Sequence, residues 1–489
     1  MEKPTRVLAF VLAGGEGRRL APLTRHVAKP AIPFHYGHRL IDFALSNLRN
    51  SGIRAIHVLM QYQSHSVLRH LMAAWRWGPA GPDGFINPAT GGLGGMPVFA
   101  GTADAVYRNR QEIIDFRPDV VAIFSADHIY RMDVRQMIDF HLASGADVTV
   151  SAVPVPLAEA TSFGVLETDD DSRIRRFAEK PRQPQPMSRR PDHAFASMGN
   201  YLFSPRVLLE ALEATHAAGG TDFGGDLLPA LVASHRLMAY DFTSNRIPGL
   251  PAGCDPHYWR DVGTIDAYFA AHMDTIAPPG ATARFEIMAR AWPIQGADSV
   301  FDPSRQEGTF GCYQSAIAGT ARVEGSILRR GAFVGEGAVV SNCILGEDVD
   351  IGAGCRLRNV IVEADNQVPP GFEVGFDPAR DHEWLPVSEG GVVVIPRGFF
   401  ATTLLARTIS GLAGSSIAPT VVPVARPAAS TARIHAPGRP AGSKATAPGT
   451  TTATVTPMLP GLTSAVSLAP RRRESGDVEA QSATKAARA

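Results

Sequence analysis

Phosphate chemistry is the first possibility that the residue types raise. The run Ala13-Gly14-Gly15-Glu16-Gly17-Arg18-Arg19 follows an apolar stretch, Val7 to Leu12, and glycines in such a place leave backbone N–H groups free to turn toward anionic oxygens. Two common phosphate loops are excluded by single positions. A dinucleotide fingerprint needs glycine where Leu20 stands, and a P-loop needs Lys-Ser or Lys-Thr where Arg18-Arg19 stand. A second polar motif, Ala126-Asp127-His128, closes another apolar stretch, Val120 to Phe124.

These motifs need elements that bring strand ends together. From the N-terminus to about Thr275, short apolar runs alternate with amphipathic stretches, the pattern of an α/β fold with a mostly parallel sheet. Val7 to Leu12, Ile56 to Met60, Val120 to Phe124 and Val148 to Val153 are predicted strands; Ser64 to Trp75, Ala103 to Ile114 and Val134 to Leu142 are predicted helices. Ligands of open sheets bind beyond the carboxyl ends of the strands, where both motifs fall.

A different architecture follows. Apolar residues recur at Ile317, Val323, Leu328, Val334, Val340, Leu345, Ile351, Leu357, Val362, Val368 and Val374, in steps of six, five and six that return the same face every seventeen residues. Ile317, Val334, Ile351 and Val368 should therefore stack in one column of a three-sided parallel β-helix, with glycines and small polar residues at its corners. From about Thr402 the chain turns to Ala, Pro, Thr, Ser and Gly with almost no aromatics, and a disordered tail is expected. The expected division is residues 1–280 catalytic, 281–400 β-helix and 401–489 tail.

Composition narrows the class. With 489 residues, 45% hydrophobic and 19% charged, the chain reads as globular, and it lacks the apolar run of about 18 residues that a membrane span requires. Residues 402–489 hold ten Lys or Arg against three acids, leaving 37 against 44 for the rest, so the main body is mildly acidic and unsuited to a nucleic-acid surface. Cys254, Cys312, Cys343 and Cys355 are too few and too irregular for a disulfide scaffold or a zinc site. Six apolar residues from Val7 to Leu12 are short for a signal peptide, so a cytoplasmic location is expected.

The full run from Gly14 to Thr24, followed by Ala28-Lys29-Pro30, resembles the signature of the sugar-1-phosphate nucleotidylyltransferases. Within them the chain is most similar to the glucose-1-phosphate adenylyltransferases, through Ile41-Asp42-Phe43-Ala44-Leu45-Ser46-Asn47, Gln61-Tyr62-Gln63-Ser64-His65, Gly101-Thr102-Ala103-Asp104-Ala105 and Asp127-His128-Ile129-Tyr130. Phe163-Gly164-Val165, Glu179-Lys180-Pro181, Ser197-Met198-Gly199-Asn200-Tyr201, Asp222-Phe223-Gly224 and Tyr258-Trp259-Arg260-Asp261-Val262-Gly263-Thr264 continue it in order, over about residues 6–395.

The resemblance implies a Rossmann-like nucleotidyltransferase domain followed by a left-handed parallel β-helix, and a reaction of ATP with glucose 1-phosphate. By it, Gly14 and Gly15 approach the nucleotide, Arg19 and Lys29 grip its phosphates, and Asp127 with Asp261 holds Mg²⁺. Lys180 neutralises the sugar phosphate, while Gly164, Glu179, Ser197, Tyr201, Asp222, Phe223 and Trp259 form the sugar pocket. His65 and His128 are not expected to act as bases, because a sugar phosphate with a second pKa of about 6 is already largely ionised at neutral pH. A homotetramer is the family's usual assembly. Use of UTP or dTTP, or a catalytically weak regulatory subunit, are the alternatives.

Two stretches depart from the family. Relatives carry a loop with a base-reading Pro-Ala-Gln segment and a Trp-Tyr pair, where this chain has Pro88-Ala89-Thr90 within an expected loop from Asn87 to Gly92, and then Val98-Phe99. A basic pair that binds a phosphorylated activator in many relatives is replaced by His26 and Val27.

Overall fold

The computed structural model describes residues 4–35, 37–75, 84–92, 95, 97–277, 281–297, 310–311 and 315–400. The expected disordered tail lies outside them.

The Val7–Ala13 strand runs through the middle of a nine-stranded sheet, parallel to Ala55–Met60 on one side and Val120–Ser125 on the other. These strands read as apolar runs, interrupted in Ala55–Met60 by His57, because helices cover both sheet faces, and Ala55–Met60 is buried at every position. Next to Val120–Ser125 the His193–Phe203 strand runs antiparallel, and there the sheet forks. Ser197 lies opposite Ala152 but Tyr201 lies opposite Val150, so the strand bulges over Met198, Gly199 and Asn200, with Gly199 at φ +70°. On one side of the bulge Tyr201 pairs with Ile123; on the other Phe195 pairs with Leu166 of Gly164–Thr168. A cleft opens where the two branches part, above the end of Val120–Ser125.

Two expectations need correction. The helix expected over Ala103 to Ile114 is broken into Thr102–Arg108 and Arg110–Phe116. Asn109 sits at the break with φ −107° and its side-chain amide donates to Ala105 O at 2.8 Å, the local competition by which Asn disfavours helix interiors. The stretch from Asn87, read as a loop through Gly92, is mostly an edge strand, Phe85–Thr90, parallel to Ala55–Met60. Pro88 is tolerated because an edge strand has no neighbour to serve on its open side.

The β-helix has the three columns that the seventeen-residue period requires. Ile317, Val334, Ile351 and Val368 stack in the first, and Val323, Val340, Leu357 and Val374 in the second. Leu328, Leu345 and Val362 make the third, whose next rung is Ile395. The repeat loses register after Val374 because Pro378–His382 forms a helix capped by Asp377, and Val393–Ile395 returns to complete the face. Ile344, Ile361 and Val394 pack with Phe34, Phe43, Tyr258 and Tyr268, so the β-helix and the N-terminal α/β domain share one apolar cluster.

Candidate active site

The glycine-rich loop closes on Lys29. Gly17 has φ +65°, and a Cβ there would lie 2.9 Å from Thr24 Cγ2 and 3.0 Å from Lys29 Cβ, so only glycine permits the approach. Thr24 Oγ1 donates to Gly17 O at 3.0 Å and fixes the loop. Beside Gly15 the space is open, which keeps its backbone accessible from the cleft.

Lys29 is only 7% exposed, and its Nζ donates to Asp127 Oδ2 at 2.7 Å and lies 3.5 Å from Asp261 Oδ1. Asp127 follows the Val120–Ser125 strand; Asp261 arrives from far along the chain through a two-stranded ribbon in which it pairs with His128. Burial by itself would lower the Lys29 pKa, but Asp127 and then Asp261 outweigh it and raise it. For Asp127 burial pushes upward, and the charges of Lys29 and His128 with hydrogen bonds from Lys29 and Ser125 hold it well below the carboxylate range. His128 Nε2 stands 3.6 Å from Asp127 and 3.5 Å from Asp261, and the three side chains offer ligand atoms within 4.8 Å of one another. Such a set, dominated by hard carboxylate oxygens, fits Mg²⁺. Arg19 completes this end: a Cβ on Gly263 would lie 3.0 Å from its Nη2 and 2.7 Å from Asp261 Oδ2, so Gly263 makes room for the guanidinium.

At the other end Glu179 and Lys180 leave the Ile174–Glu179 strand, with Lys180 in the left-handed region at φ +45° and paired with Glu179. Gly164 and Gly224 admit the Glu179 carboxylate, since a Cβ would come within 3.0 Å and 2.5 Å of its Oε2. Asp222 caps the following helical turn, accepting from Gly224 N and Gly225 N at 2.9 Å and from Thr102 Oγ1 at 2.8 Å. Ser197 and Tyr201 come from the two sides of the bulge, and burial pushes the Tyr201 phenol up.

Every expected site residue except Trp259 lines one cleft of about 540 Å³. Trp259 stands behind it, its ring edge-on to His128 and Phe163, so it supports the wall. His65 is exposed on the first turn of Ser64–Ala74, outside the cleft.

Residues 8–277 match a family described as nucleotidyl transferase, and residues 304–395 match one described as GlmU-like, C-terminal hexapeptide. The chain is 41% identical over 400 residues to a glucose-1-phosphate adenylyltransferase of Thermodesulfovibrio yellowstonii, covering 80% of this chain and 96% of the relative. Identity is 42% over 406 residues to that of Corynebacterium jeikeium, covering 81% and 98%, and 42% over 408 residues to that of Mycobacterium leprae, covering 81% and 99%. The chain belongs to the glucose-1-phosphate adenylyltransferase family.

Three cleft residues of this adenylyltransferase-family chain had no role assigned from the sequence. Gln61 accepts from Phe99 N and donates to Phe99 O at 3.0 Å, a two-point clasp on the main chain. Thr102 Oγ1 binds Asp222 and receives Phe223 N at 3.0 Å. Gly101 is held against Thr221 O, which a Cβ would approach to 2.5 Å. Gln61 directly follows Met60, the end of a central strand, and that position was the available signal.

A second cavity of about 600 Å³ lies at the seam with the β-helix, and His26 and Val27 both line it. Arg39, Arg69, Arg329, Arg330 and Arg397 line it too, with Glu347, Asp348, Glu363 and Asp365 among them.

Proposed function

We propose that this protein transfers the adenylyl group of ATP to glucose 1-phosphate, giving ADP-glucose and diphosphate for α-glucan synthesis such as glycogen. The observation that carries the reading is a single cleft with Lys29, Arg19 and two carboxylates at one end and Glu179, Lys180, Ser197 and Asp222 at the other. One end suits a triphosphate and the other a phosphorylated sugar.

A phosphate oxygen of glucose 1-phosphate attacks the α-phosphorus of ATP, and the bond from that phosphorus to the bridging oxygen of the β-phosphate breaks. No general base is required, because the attacking oxygen is ionised at neutral pH. Lys180 holds the attacker, and Glu179 accepts from sugar hydroxyls. Arg19 and Lys29 neutralise the departing diphosphate, so catalysis comes from positioning and charge. Asp127 and Asp261 would hold Mg²⁺, which supplies positive charge where the phosphates gather. Retention of Arg19, Lys29, Asp127, Lys180 and Asp261 in one cleft favours an active enzyme over a regulatory subunit.

The adenine end differs from the family in this chain. Thr90 ends the edge strand where relatives carry glutamine, and Gln61 is clasped to Phe99. A cytoplasmic homotetramer is part of the proposal, on the family's usual form. Among the described residues no helix is long and apolar enough to cross a membrane.

Diphosphate release from purified protein, assayed with glucose 1-phosphate and each nucleoside triphosphate, tests the proposal. ATP should support the fastest release, with a preference over UTP below about 100-fold, since one lost bidentate contact removes about 1–3 kcal/mol of discrimination. No release with any triphosphate would end the reading, and a faster rate with UTP or dTTP would replace ATP.

A further inference from the structure

The β-helix sends a guanidinium into the nucleotidyltransferase domain. Arg329 follows the Ile327–Leu328 strand, is 5% exposed, and pairs with no carboxylate among the described residues. Its Nη2 lies 2.9 Å from Pro33 O, 2.8 Å from Tyr268 Oη and 3.1 Å from His272 Nε2, so two hydrogens are shared among three acceptors. All three acceptors belong to the catalytic domain.

They also belong to one short structure. Tyr268 Oη donates onward to Pro33 O at 2.7 Å. His272 Nδ1 faces Tyr268 O at 2.9 Å, which places its proton there and leaves Nε2 to accept both Arg329 and His35 N, the latter at 3.2 Å. The His272 ring lies 4.2 Å from that of Phe34. The Pro33–Phe34 strand is thus fastened at Pro33 O, at the Phe34 ring and at His35 N by groups that converge on Arg329. Just before it stands the Lys29–Ala31 turn, closed by Ile32 N donating to Lys29 O at 3.1 Å. A charge buried without a counter-charge is costly, and a leucine would pack the same seam without that cost.

We propose that Arg329 is a positioning residue for the adenylyl transfer. Acting through the Pro33 carbonyl and the Lys29–Ala31 turn, it fixes Lys29 where the phosphates of the nucleotide arrive. The β-helix domain therefore contributes to the nucleotide end of the cleft. The inference rests on the reading of Lys29 as a phosphate-gripping residue.

Calorimetric binding of MgATP and steady-state kinetics on the full chain test it. Arg329→Met should weaken MgATP binding about tenfold while changing the KM for glucose 1-phosphate less than about twofold, and Arg329→Lys should recover part of the loss. In a Lys29→Met background the same substitution should cost less than about twofold, because the residue it positions is gone. Unchanged MgATP binding, equal losses for both substrates, or full additivity with Lys29→Met would each overturn the inference while leaving the reaction in place. Should Arg329→Met fail to fold, Tyr268→Phe removes one donor to Pro33 O and should weaken MgATP about threefold with the sugar phosphate unaffected; no effect there counts against it equally. A wild-type protein that binds no nucleoside triphosphate would end the reading of Lys29, and the inference with it.

Discussion

The candidate active-site cleft and the cavity at the domain seam are of similar size, about 540 and 600 Å³, and both bring cations and carboxylates together. Their charges are arranged differently. In the cleft, Lys29 stands against Asp127 and Asp261, groups suited to face a metal ion, and Arg19 enters without an ion pair among the described residues. At the seam, Arg39 and Arg330 share Glu347 at 3.5 and 3.8 Å, Arg397 pairs with Asp365, and Arg329 spends its Nη2 on neutral acceptors. Val27 adds no charge. The number of arginines is therefore a poor guide to an anion site. What matters is how much of their charge neighbouring acids leave uncompensated.

The largest effect is expected at the carboxylate that faces Lys29. Asp127→Asn should lower kcat well beyond tenfold with the fold intact, because one charge is lost without a change in volume; a variant keeping more than about a tenth of the activity, ~1.4 kcal/mol of barrier, would remove Asp127 from the mechanism. At the opposite end, Lys180→Gln should raise the KM for glucose 1-phosphate about tenfold and that for ATP less than about twofold. Equal rises would mean that the cleft does not separate its two substrates.

The seam should respond weakly. Fructose 1,6-bisphosphate at pH 7.5 should change the initial rate less than about twofold, since a doubly phosphorylated ligand depends on charge-assisted bonds, and Arg39, Arg330 and Arg397 already face acids while Arg329 is held by neutral acceptors. Strong activation would show that the ion pairs open for a ligand, and the contrast between the cavities would fail.

The smallest effect separates acid stability from the cleft. Burial lowers His57 and His141 to about 4. Because these folded-state values lie below the unfolded value of about 6.5, stability is intact above that pH and is lost as pH falls toward 4, by at most about 1.4 kcal/mol per pH unit for each histidine. Asp127 is also depressed, but from an unfolded carboxylate value of about 4, so its contribution is lost only at more acid pH. His141→Gln, placed to keep a bond to Thr149 Oγ1, should flatten the fall in unfolding midpoint between pH 6.5 and 5. An unchanged slope would assign that loss elsewhere.

Local pattern alone determined much of this protein. Strand positions were legible because a strand covered on both faces is mostly apolar, and the β-helix columns because each side chain returns every seventeen residues to the same wall. The residues of the cleft were legible through motif resemblance and the strand-end rule. Contacts between residues distant in the chain were not. Asp261 reaches Lys29 only through the ribbon with His128, and Gln61 meets Phe99 only because strand and turn pack together. The same holds for Arg329, which in sequence is one arginine of an Arg-Arg pair at a β-helix corner. Its burial against Pro33, Tyr268 and His272 depends on how two domains close on a shared core, and periodicity carries no information about that closure.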